Sequence, residues 1–404
     1  MHIVSDTTTV PEGFVAEVFA VNLRAVEDFT FDETGVLWVG SGFTGTVTGI
    51  EFKETTPLPI DGGALSPTIE GLNAVFGLAF DHDGNLFLPE FCSGEVSRID
   101  ASLLAGPFPI NASSIPPLTQ GLGCPDGAAF APSGSPFGTN LFVGDVSLGG
   151  VAEINPDNGA LTAFTSFSTD IEEVIFSSDG QTMFTITPSQ GNVFAMQPTG
   201  PPMELAGGFA FPDAIACMHA CMQGPGNEFG TDLYVGDLHG NTLFRVNPIT
   251  GETTIFADLG SEFEGFEDII FDQLGRMYIL GFGRGGQIIR IAPEEISAEI
   301  DIDPDILNLK SKGRWITAYI ELPEDYNASD IDISTVVLNG EIPAELHPTE
   351  IGDYDTDGII DLMVKFDRAS IIELLDTGEV TLTITGEVDG TPFEGNDTIK
   401  VIDE

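Results

Sequence analysis

The chain is poor in basic residues. Lys and Arg number 13 against 64 Asp and Glu, which gives a formal net charge of −51. This balance excludes a nucleic-acid-binding protein, because the phosphate backbone would be repelled at every approach. The acids are spread through segments rich in apolar residues, which argues against a disordered acidic tail. The negative charge favours binding of cations or of basic partners, or solubility in salty water.

Long hydrophobic runs are absent too, and no stretch reaches the roughly 20 apolar residues that a membrane-spanning helix needs. The first residues, MHIVSDTTTVPEGF, have neither the basic n-region nor the apolar h-region of a secretory signal. Cysteine is scarce, with four residues, an even number that suits an oxidising compartment. Three N-x-[ST] sequons permit glycosylation, at Asn111, Asn327 and Asn396. From these features we expect a secreted or cell-surface protein.

Glycine and phenylalanine are abundant, at 48 and 30 residues, and they occur in six repeats. Each repeat opens with an apolar phrase, continues through a Gly-containing turn, and is followed by an aromatic-rich strand and a third strand. The opening phrases are EDFTF, FGLAF, DGAAF, EEVIF, DAIAC and EDIIF, spaced 41 to 54 residues apart. Short strands at this interval, without helical periodicity, predict an all-β fold of six four-stranded blades, a six-bladed β-propeller. A β-sandwich with accidental repetition is the rival interpretation.

The sixth repeat shows only three strands before the pattern stops. Residues 14–20, FVAEVFA, alternate like a strand but have no partner of their own in the sequence. We expect this segment to supply the outermost strand of blade six and to close the ring, because an open ring would expose strand edges. The predicted propeller domain covers residues 1–295.

Acids recur at one position of the predicted blades. The first strand of a propeller blade lines the central channel, and its first residue lies at one mouth. Five of the six opening residues are acids: Glu27, Asp126, Glu172, Asp213 and Glu267, with Phe76 in the remaining blade. Crowded carboxylates repel unless a cation lies between them, and their oxygens suit Ca²⁺, or Mg²⁺ where waters fill the shell. A water-filled acidic channel without a fixed ion is the alternative.

This column of acids resembles the regucalcin, gluconolactonase and strictosidine-synthase-like group of six-bladed propellers. That family holds a catalytic divalent cation with a Glu in blade one, Asn in blades three and four, and the Asp of a PDG phrase in blade five. By position, the resemblance implies Glu27, Asp126, Glu172 and Asp213 as ligands. The chain departs from the pattern because both Asn positions are acids, blade one reads EDF, and Pro-Asp-Gly lies in blade three. The resemblance covers roughly residues 14–292.

The same resemblance implies a metal-dependent lactone or ester hydrolase. Asp213 or Asp126 would then be the general base, while the cation polarises the ester carbonyl. His239, in GDLHGN, is the one histidine expected near this mouth, although a surface-loop position without a role in the site is the favoured explanation. The ends of the second strands offer further polar groups at the mouth: Glu90, Asp145 and Asp237. The sequence contains no G-x-S-x-G, HExxH or phosphate-loop motif.

The four cysteines fit the blade topology. Cys92 follows the second strand of blade two and Cys124 precedes the first strand of blade three, so both are expected at the acidic mouth, where a disulfide between them is reasonable. Cys217 and Cys221, in CMHAC, are close enough in sequence to bridge locally. With His219 they would alternatively supply three ligands to a soft metal, which is incomplete without a second cluster.

After Pro293 the repeats stop, and residues 296–404 show alternating strands with Gly, Asn and Asp turns. This pattern predicts a compact β-sandwich domain. Within it, GDYDTDGIIDLMVKFD has the spacing of a calcium loop, with Gly358 at position 6. The predicted Ca²⁺ ligands at positions 1, 3, 5 and 9 are Asp353, Asp355, Asp357 and Asp361.

The calcium loop lacks the Glu that an EF-hand carries at position 12, where Val364 stands, and Asp367 is a candidate to complete the shell. Because strands flank it, the loop resembles dockerin-like and other extracellular calcium loops. The alternative is an Asp-rich turn whose carboxylates cap local N–H groups.

Two functions are compatible with these features. The first is a calcium-stabilised extracellular binding or assembly module, whose partner is a surface glycan, another protein or further copies of the chain. The second is the metal-dependent hydrolase that the resemblance implies. The calcium loop and the appended sandwich favour the first function, and the carboxylates at the channel mouth favour the second.

Overall fold

The structure is a computed structural model. It describes residues 8–53, 56–177, 179–218, 229–261, 263–282, 285–294, 296–323, 326–372, 375, 377–388 and 391–403. The contacts among them separate two compact units, one ending at Ala292 and the other beginning at Pro293. None of the described helices is both long enough and apolar enough to cross a bilayer.

The first unit is a six-bladed β-propeller, as the repeats predict. Blade one contains Val26–Phe31, Leu37–Ser41, Thr46–Ile50, Ile69–Glu70 and Ile110–Asn111. Blade two contains Ala74–Val75, Ala79–Phe80, Leu86–Phe91, Glu95–Ile99 and Thr119–Gln120. Blade three contains Pro125–Phe130, Leu141–Asp145, Gly150–Ile154 and Leu161–Ser166. Blade four contains Val174–Phe176, Met183–Thr187, Asn192–Met196 and Met203–Gly207.

The last two blades complete the ring. Blade five contains Pro212–Cys217, Leu233–Asp237, Thr242–Val246 and Thr253–Asp258. Blade six contains Asp268–Phe271, Met277–Gly281, Gln287–Pro293, Phe14–Val21 and Ile60–Asp61. The short helices that lie wholly within the described residues of this unit are Gly62–Ala64, Ala101–Leu104, Ala112–Ser114 and Pro188–Gln190.

The N-terminal strand closes the ring. Phe14–Val21 lies beside Gln287–Pro293 in the sheet of blade six, which confirms the predicted closure. An ion pair joins the two strands, with Arg290 Nε donating to Glu17 Oε1 at 2.8 Å. The outer part of the last blade is therefore made by the first strand of the chain, and the edge it covers is not left open.

Acids in the turns after the first strands have a structural role. Asp32 Oδ1 accepts hydrogen bonds from the backbone N–H groups of Thr34, at 2.9 Å, and Val36, at 3.0 Å. Asp81 and Asp272 make the equivalent bonds in blades two and six. An Asp at this position satisfies two N–H groups that the tight turn leaves without a strand partner. These acids therefore account for the FDxxG phrases without any ligand.

Phenylalanine fills the spaces between blades. Phe14 lies edge-on to Phe229 and Phe256, with ring centroids 4.8 and 5.3 Å apart, and Phe229 in turn contacts Phe271 at 5.1 Å. Edge-to-face aromatic pairs add about 0.5–1.5 kcal/mol each beyond the apolar area that they bury. The closing strand is thus held by packing as well as by hydrogen bonds.

A disulfide links blades two and three, between Cys92 and Cys124 as expected, which are separated by 32 residues in the sequence. Closing a loop of this length restricts the unfolded chain by about 3.5 kcal/mol in the chain-entropy account. The Sγ of Cys217 lies 2.9 Å from the carbonyl oxygen of Phe176. The predicted bridge from Cys217 requires residue 221, and the alternative soft-metal site requires residues 219 and 221, all of which lie outside the described residues.

The second unit is a β-sandwich. One sheet contains Ile296–Ser297, Ile306–Asn308, Ile331–Leu338, Ile342–Pro343, Gly378–Val388 and Thr391–Ile402. The other sheet contains Glu299–Asp303, Trp315–Glu321, Asp361–Asp367 and Glu345–Gly352, in that spatial order. The helices of this unit are Ala328–Asp330 and Arg368–Ile372. Alternate residues of both sheets form one core, for example Ile316 and Val364 of one sheet with Leu382 and Ile399 of the other.

Candidate functional site: acids of the propeller channel and of the calcium loop

The acids that open the first strands come together at one mouth of the channel. In blades one, three and five the opening acid lies at a β-bulge, where the pairing of first and second strands shifts register. A bulge re-aims the side chain of its extra residue. In this way Glu27, Asp126 and Asp213 approach one another closely enough for the charges of Asp213 and Glu27 to help raise the pKa of Asp126 well above its usual range, although burial is the larger cause.

Two pairs of opening acids are hydrogen-bonded to each other. Glu27 bonds with Glu267, and Glu172 bonds with Asp213. Because two ionised carboxylates cannot donate a hydrogen bond, each pair holds a proton when no cation is present. Burial, followed by neighbouring negative charge, raises the pKa of Glu267 to about 11. Burial also raises the pKa of Glu27 to about 7 and that of Asp213 to about 6, against the lowering effect of the partner's hydrogen bond.

Two buried carboxylate oxygens of these pairs accept no hydrogen bond from the residues that the structure describes. They are Oε2 of Glu172 and Oε1 of Glu267, and Glu267 as a whole is only 8% exposed. A buried polar atom without a partner loses its hydration and gains nothing in return. These oxygens are therefore suited to a cation that approaches along the channel.

A second layer of acids, which the sequence reasoning missed, lies next to the first. Asp28 and Asp268 are each 5% exposed and hydrogen-bond to each other across blades one and six. Asp28 Oδ2 also accepts from the backbone N–H of Leu78 at 2.7 Å, and Asp268 Oδ2 from that of Phe29 at 3.4 Å. The pair thus connects blade six to blade one and blade one to blade two. The sequence feature that could have indicated this layer is the second acid in the phrases EDF, EEV and EDI.

Glycines make room for the channel carboxylates. A Cβ atom on Gly42 would lie 2.5 Å from Cγ of Glu27, and one on Gly127 would lie 2.3 Å from Oε2 of Glu173, the third acid of the second layer. Neither distance is possible for a real side chain, so an alanine at either position would displace a carboxylate. These close approaches explain why glycine stands beside the acids.

The acids at the ends of the second strands are engaged in holding loops. Asp145 accepts from the backbone N–H groups of Gly123, at 2.7 Å, and Leu148, at 2.9 Å. Asp237 accepts a hydrogen bond from Phe211 N at 3.1 Å, and Glu90 accepts one from Asn73 N at 2.6 Å. Each of these acids fixes the segment that enters its own blade's first strand. They support the mouth and do not offer free ligands to it.

His239 lies at the mouth beside the opening acids. Its ring stacks on Phe211 with centroids 5.4 Å apart, and its charge lowers the pKa of Asp213, against the larger effect of burial. Next to it is a cavity of about 430 Å³ between blades five and six, lined by Phe263 and Phe282 among others. On the opposite side of the mouth, Phe76 stacks on Phe91 at 4.2 Å. Aromatic side chains therefore flank the acidic centre on two sides.

The other end of the channel has a mixed lining. A cavity of about 320 Å³ lies where the first strands of blades one, four, five and six end. Its lining combines apolar side chains such as Phe31 and Phe176 with the polar side chains of Asp32, Glu33 and Gln273.

The calcium loop of the second unit has a different character. Asp353, Asp355 and Asp357 are exposed, and they bring carboxylate oxygens within 4.8 Å of one another. Gly358 has a φ of 103°, as the turn at position 6 requires. Asp355 Oδ1 accepts from Asp357 N at 3.0 Å, so this carboxylate also caps the local turn and keeps its second oxygen for a ligand.

The fourth predicted ligand of the loop, Asp361, lies in a separate group with Glu321 and Asp355. Its Oδ2 accepts from the backbone N–H of Tyr354 at 2.8 Å. Asp367 does not join either group, because it lies at the far end of the strand Asp361–Asp367 and accepts from Ser370 N at 3.0 Å. Burial and four neighbouring acids raise the pKa of Glu321 to about 7. Sequence reasoning missed Glu321 because it belongs to another strand.

No family model and no curated protein matches the sequence. Among solved structures, a gluconolactonase from Xanthomonas campestris is similar with a TM-score of 0.52 and 15% identity, over 72% of this chain and 96% of that one. An auxiliary nutrient binding protein from Bacteroides thetaiotaomicron is similar with a TM-score of 0.51 and 15% identity, over 67% and 70% of the two chains. At this identity the likeness shows the fold alone, and it agrees with the propeller resemblance noted in the sequence.

Proposed function

We propose that this protein is an extracellular binding protein whose propeller channel holds a divalent cation and presents it to a ligand at the acidic mouth. The observation that carries the proposal is that one buried oxygen of Glu172 and one of Glu267 accept no hydrogen bond from the described residues. Carboxylate oxygens from several blades are the ligands that Ca²⁺, or Mg²⁺ with waters, would take.

The residues fit such an ion by number and by chemistry. Those that would hold it are Glu27, Asp126, Glu172, Asp213 and Glu267. When bound, the ion would supply a site that attracts a negatively charged or carbonyl oxygen of the ligand. So many carboxylates would neutralise much of its charge, and this favours tight holding of the ion over strong activation of a substrate.

The rim of the mouth indicates the chemistry of the ligand. The Phe76–Phe91 stack and the cavity beside His239 place apolar ring faces around the acidic centre. Saccharides have both features that this arrangement recognises, oxygen atoms for a cation and C–H faces for aromatic rings. We therefore propose a surface glycan or a sugar-derived acid as the ligand. Another protein or further copies of the chain are the alternatives that the test below separates.

The test combines metal analysis with binding. Purified protein, dialysed against Ca²⁺ and then against metal-free buffer, should retain a channel ion that Glu267→Gln and Glu172→Gln lose. The matched control is Glu264→Gln, an exposed residue near the same mouth, which should retain the ion. Glycan-array binding should disappear with the two channel variants and survive in the control. Equal metal content in all variants would refute the channel site, and calcium-dependent growth in light scattering without glycan binding would indicate assembly instead.

A second candidate function, lactone hydrolysis, is favoured by one specific observation. His239 lies close enough to Asp213 for its charge to lower the pKa of that carboxyl, although burial is the larger effect and raises the pKa to about 6, so an acid and an imidazole are neighbours at the mouth. Such a pair is suited to hold and move a proton. The fold likeness to a gluconolactonase adds to this candidate but does not extend to residues. A lactone panel assayed with Ca²⁺, Mg²⁺, Mn²⁺ or Zn²⁺ decides it: turnover should fall at least about 100-fold in Asp213→Asn, and no turnover by the wild type rejects it.

We also propose that the protein is extracellular and that its calcium loop binds Ca²⁺. The Cys92–Cys124 disulfide and the strongly acidic composition suit an extracellular protein. The loop triad of Asp353, Asp355 and Asp357 would hold Ca²⁺ and stabilise the second unit. A blocked-thiol count on the denatured protein, with and without reductant, tests the disulfide, and cell fractionation of the native host tests the location.

A further inference from the structure

The second unit contains an acidic cavity that the calcium-loop motif does not include. It lies on the outer face of the four-stranded sheet and has a volume of about 230 Å³. Its lining consists of Glu299, Asp301, Asp303, Tyr319, Glu321, Tyr354, Asp355 and Asp361. Neighbouring strands present two of these acids side by side, because Glu321 pairs directly with Asp361 in the sheet register.

Glu321 is the unusual member of this group. Only 9% of the residue is exposed. Its carboxylate lines the cavity, and no hydrogen bond or ion pair engages it among the residues that the structure describes. Its carboxylate instead approaches those of Asp355 and Asp361, with oxygens of all three within 4.8 Å of one another. Like charges held this close together repel one another unless an opposite charge is bound among them. The arrangement therefore points to a cation.

We infer that Glu321, Asp355 and Asp361 form a divalent-cation site, distinct from the exposed loop triad and sharing Asp355 with it. Three carboxylates converge from the loop and from two strands, as a hard cation such as Ca²⁺ requires. The Tyr354 backbone N–H fixes one oxygen of Asp361 and so orients the other. The cavity leaves space for waters to complete the coordination shell.

The site also explains the departure of the loop from the EF-hand pattern. Position 12 of the loop is Val364, which is fully buried in the sandwich core and faces away from any ion. Glu321 supplies a carboxylate from the adjacent strand, so the fold provides what the loop sequence lacks. This inference is independent of the cation proposed for the propeller channel.

Terbium luminescence tests the site in the full chain, because Tb³⁺ occupies Ca²⁺ sites and is sensitised by nearby tyrosines. Tyr319 and Tyr354 line the cavity with ring centroids 4.6 Å apart. Titration of the wild type should give sensitised emission that Ca²⁺ displaces. Glu321→Gln should weaken this binding at least about tenfold. The matched control Glu299→Gln, which changes an exposed acid of the same cavity, should stay within about twofold.

Two further variants make the result decisive. Asp353→Asn alters the loop triad alone and should remove only the emission of an ion held by that triad, so the component of the emission that depends on Glu321 should remain. If Glu321→Gln fails to fold, Glu321→Asp replaces it, since this variant keeps the charge while withdrawing the oxygen. Wild-type affinity in Glu321→Gln or Glu321→Asp overturns the inference, as does loss of the signal in Asp353→Asn together with its retention in the Glu321 variants.

Discussion

The propeller channel and the calcium loop contain the same kinds of residue in opposite surroundings. In the channel, acids from different blades are buried, hydrogen-bonded to one another and tied to backbone N–H groups of neighbouring blades. In the loop, three acids from one short segment are exposed and cap their own turn. The comparison indicates that a carboxylate cluster contributes to the stability of the whole unit where it connects different elements, and contributes little to the fold where its members belong to one exposed turn.

The largest expected effect is the pH dependence of stability in chelator. The folded-state pKa values of Glu27, Asp213 and Asp268 are raised to about 7, 6 and 6, so the folded protein binds more protons than the unfolded chain above pH 4 to 4.5. The contribution of these three groups to the free energy of unfolding is therefore fully present below pH 4 to 4.5. It is lost as the pH rises through 6 to 7, by about 1.4 kcal/mol for each unit by which a pKa is raised.

Calorimetric melting between pH 5 and 8 measures this loss. Addition of Ca²⁺ should remove most of it, because a bound cation favours the ionised carboxylates. The Asp353→Asn variant serves as control and should show the same pH profile as the wild type. A melting temperature in chelator that is constant over this range would contradict the description of the channel.

The next effect concerns the acids that connect blades. Asp28→Ala should lower the free energy of unfolding by about 2–4 kcal/mol, because it leaves the buried N–H of Leu78 without its acceptor and Asp268 without its partner. Asp353→Ala, its counterpart in the loop, should change stability by less than about 0.5 kcal/mol. Urea unfolding in chelator measures both, and equal losses would mean that the two clusters do not differ as described.

A smaller effect is expected from the glycine beside Glu173. Gly127→Ala places a Cβ where the Glu173 carboxylate lies and should cost about 1–3 kcal/mol through displacement of packed groups. In the other cluster, a Cβ on Gly352 would meet only the ring of Tyr354 at 3.3 Å, and Gly352→Ala should cost less than about 1 kcal/mol. Thermal melting of the two variants compares their stabilities, and a greater loss of stability in Gly352→Ala than in Gly127→Ala would contradict the expected order.

The smallest effect is that of single neutralisations in the loop. Asp357→Asn should leave stability in chelator within about 0.5 kcal/mol of the wild type, because the side chain is exposed and amide and carboxylate are similar in size. It should reduce the additional stability that the second unit gains from millimolar Ca²⁺. Differential scanning calorimetry with and without Ca²⁺ tests this, and an undiminished gain would remove Asp357 from the set of ligands.

The fold was predictable because each blade repeats the same local signals. Opening phrases such as EDIIF, Gly turns and aromatic strands recur six times, and the isolated FVAEVFA strand indicated the closure. The column of opening acids was predictable for the same reason, since position in the repeat determines position at the mouth. The same position in each repeat faces the same mouth of the ring, so residues that are far apart in the sequence become neighbours there.

The rest of the site depends on contacts that local patterns do not contain. Simple alternation along a strand predicts that Asp28 points away from its neighbour Glu27, and only the bulge and the contact with Asp268 place both in the acidic cluster. Glu321 becomes a neighbour of Asp361 through the register of two strands 40 residues apart in the chain. The loop spacing alone could not indicate that Asp361 would turn towards another strand.

The closing strand has a consequence for synthesis on the ribosome. Phe14–Val21 is synthesised ahead of the first blade, but its partner Gln287–Pro293 is made only after the five preceding blades. At about 5–20 residues per second, the interval between them is on the order of 15–50 s. During that time the strand presents an unpaired edge, so a chaperone or a slow, dilute supply of nascent chains should raise the yield of recombinant protein.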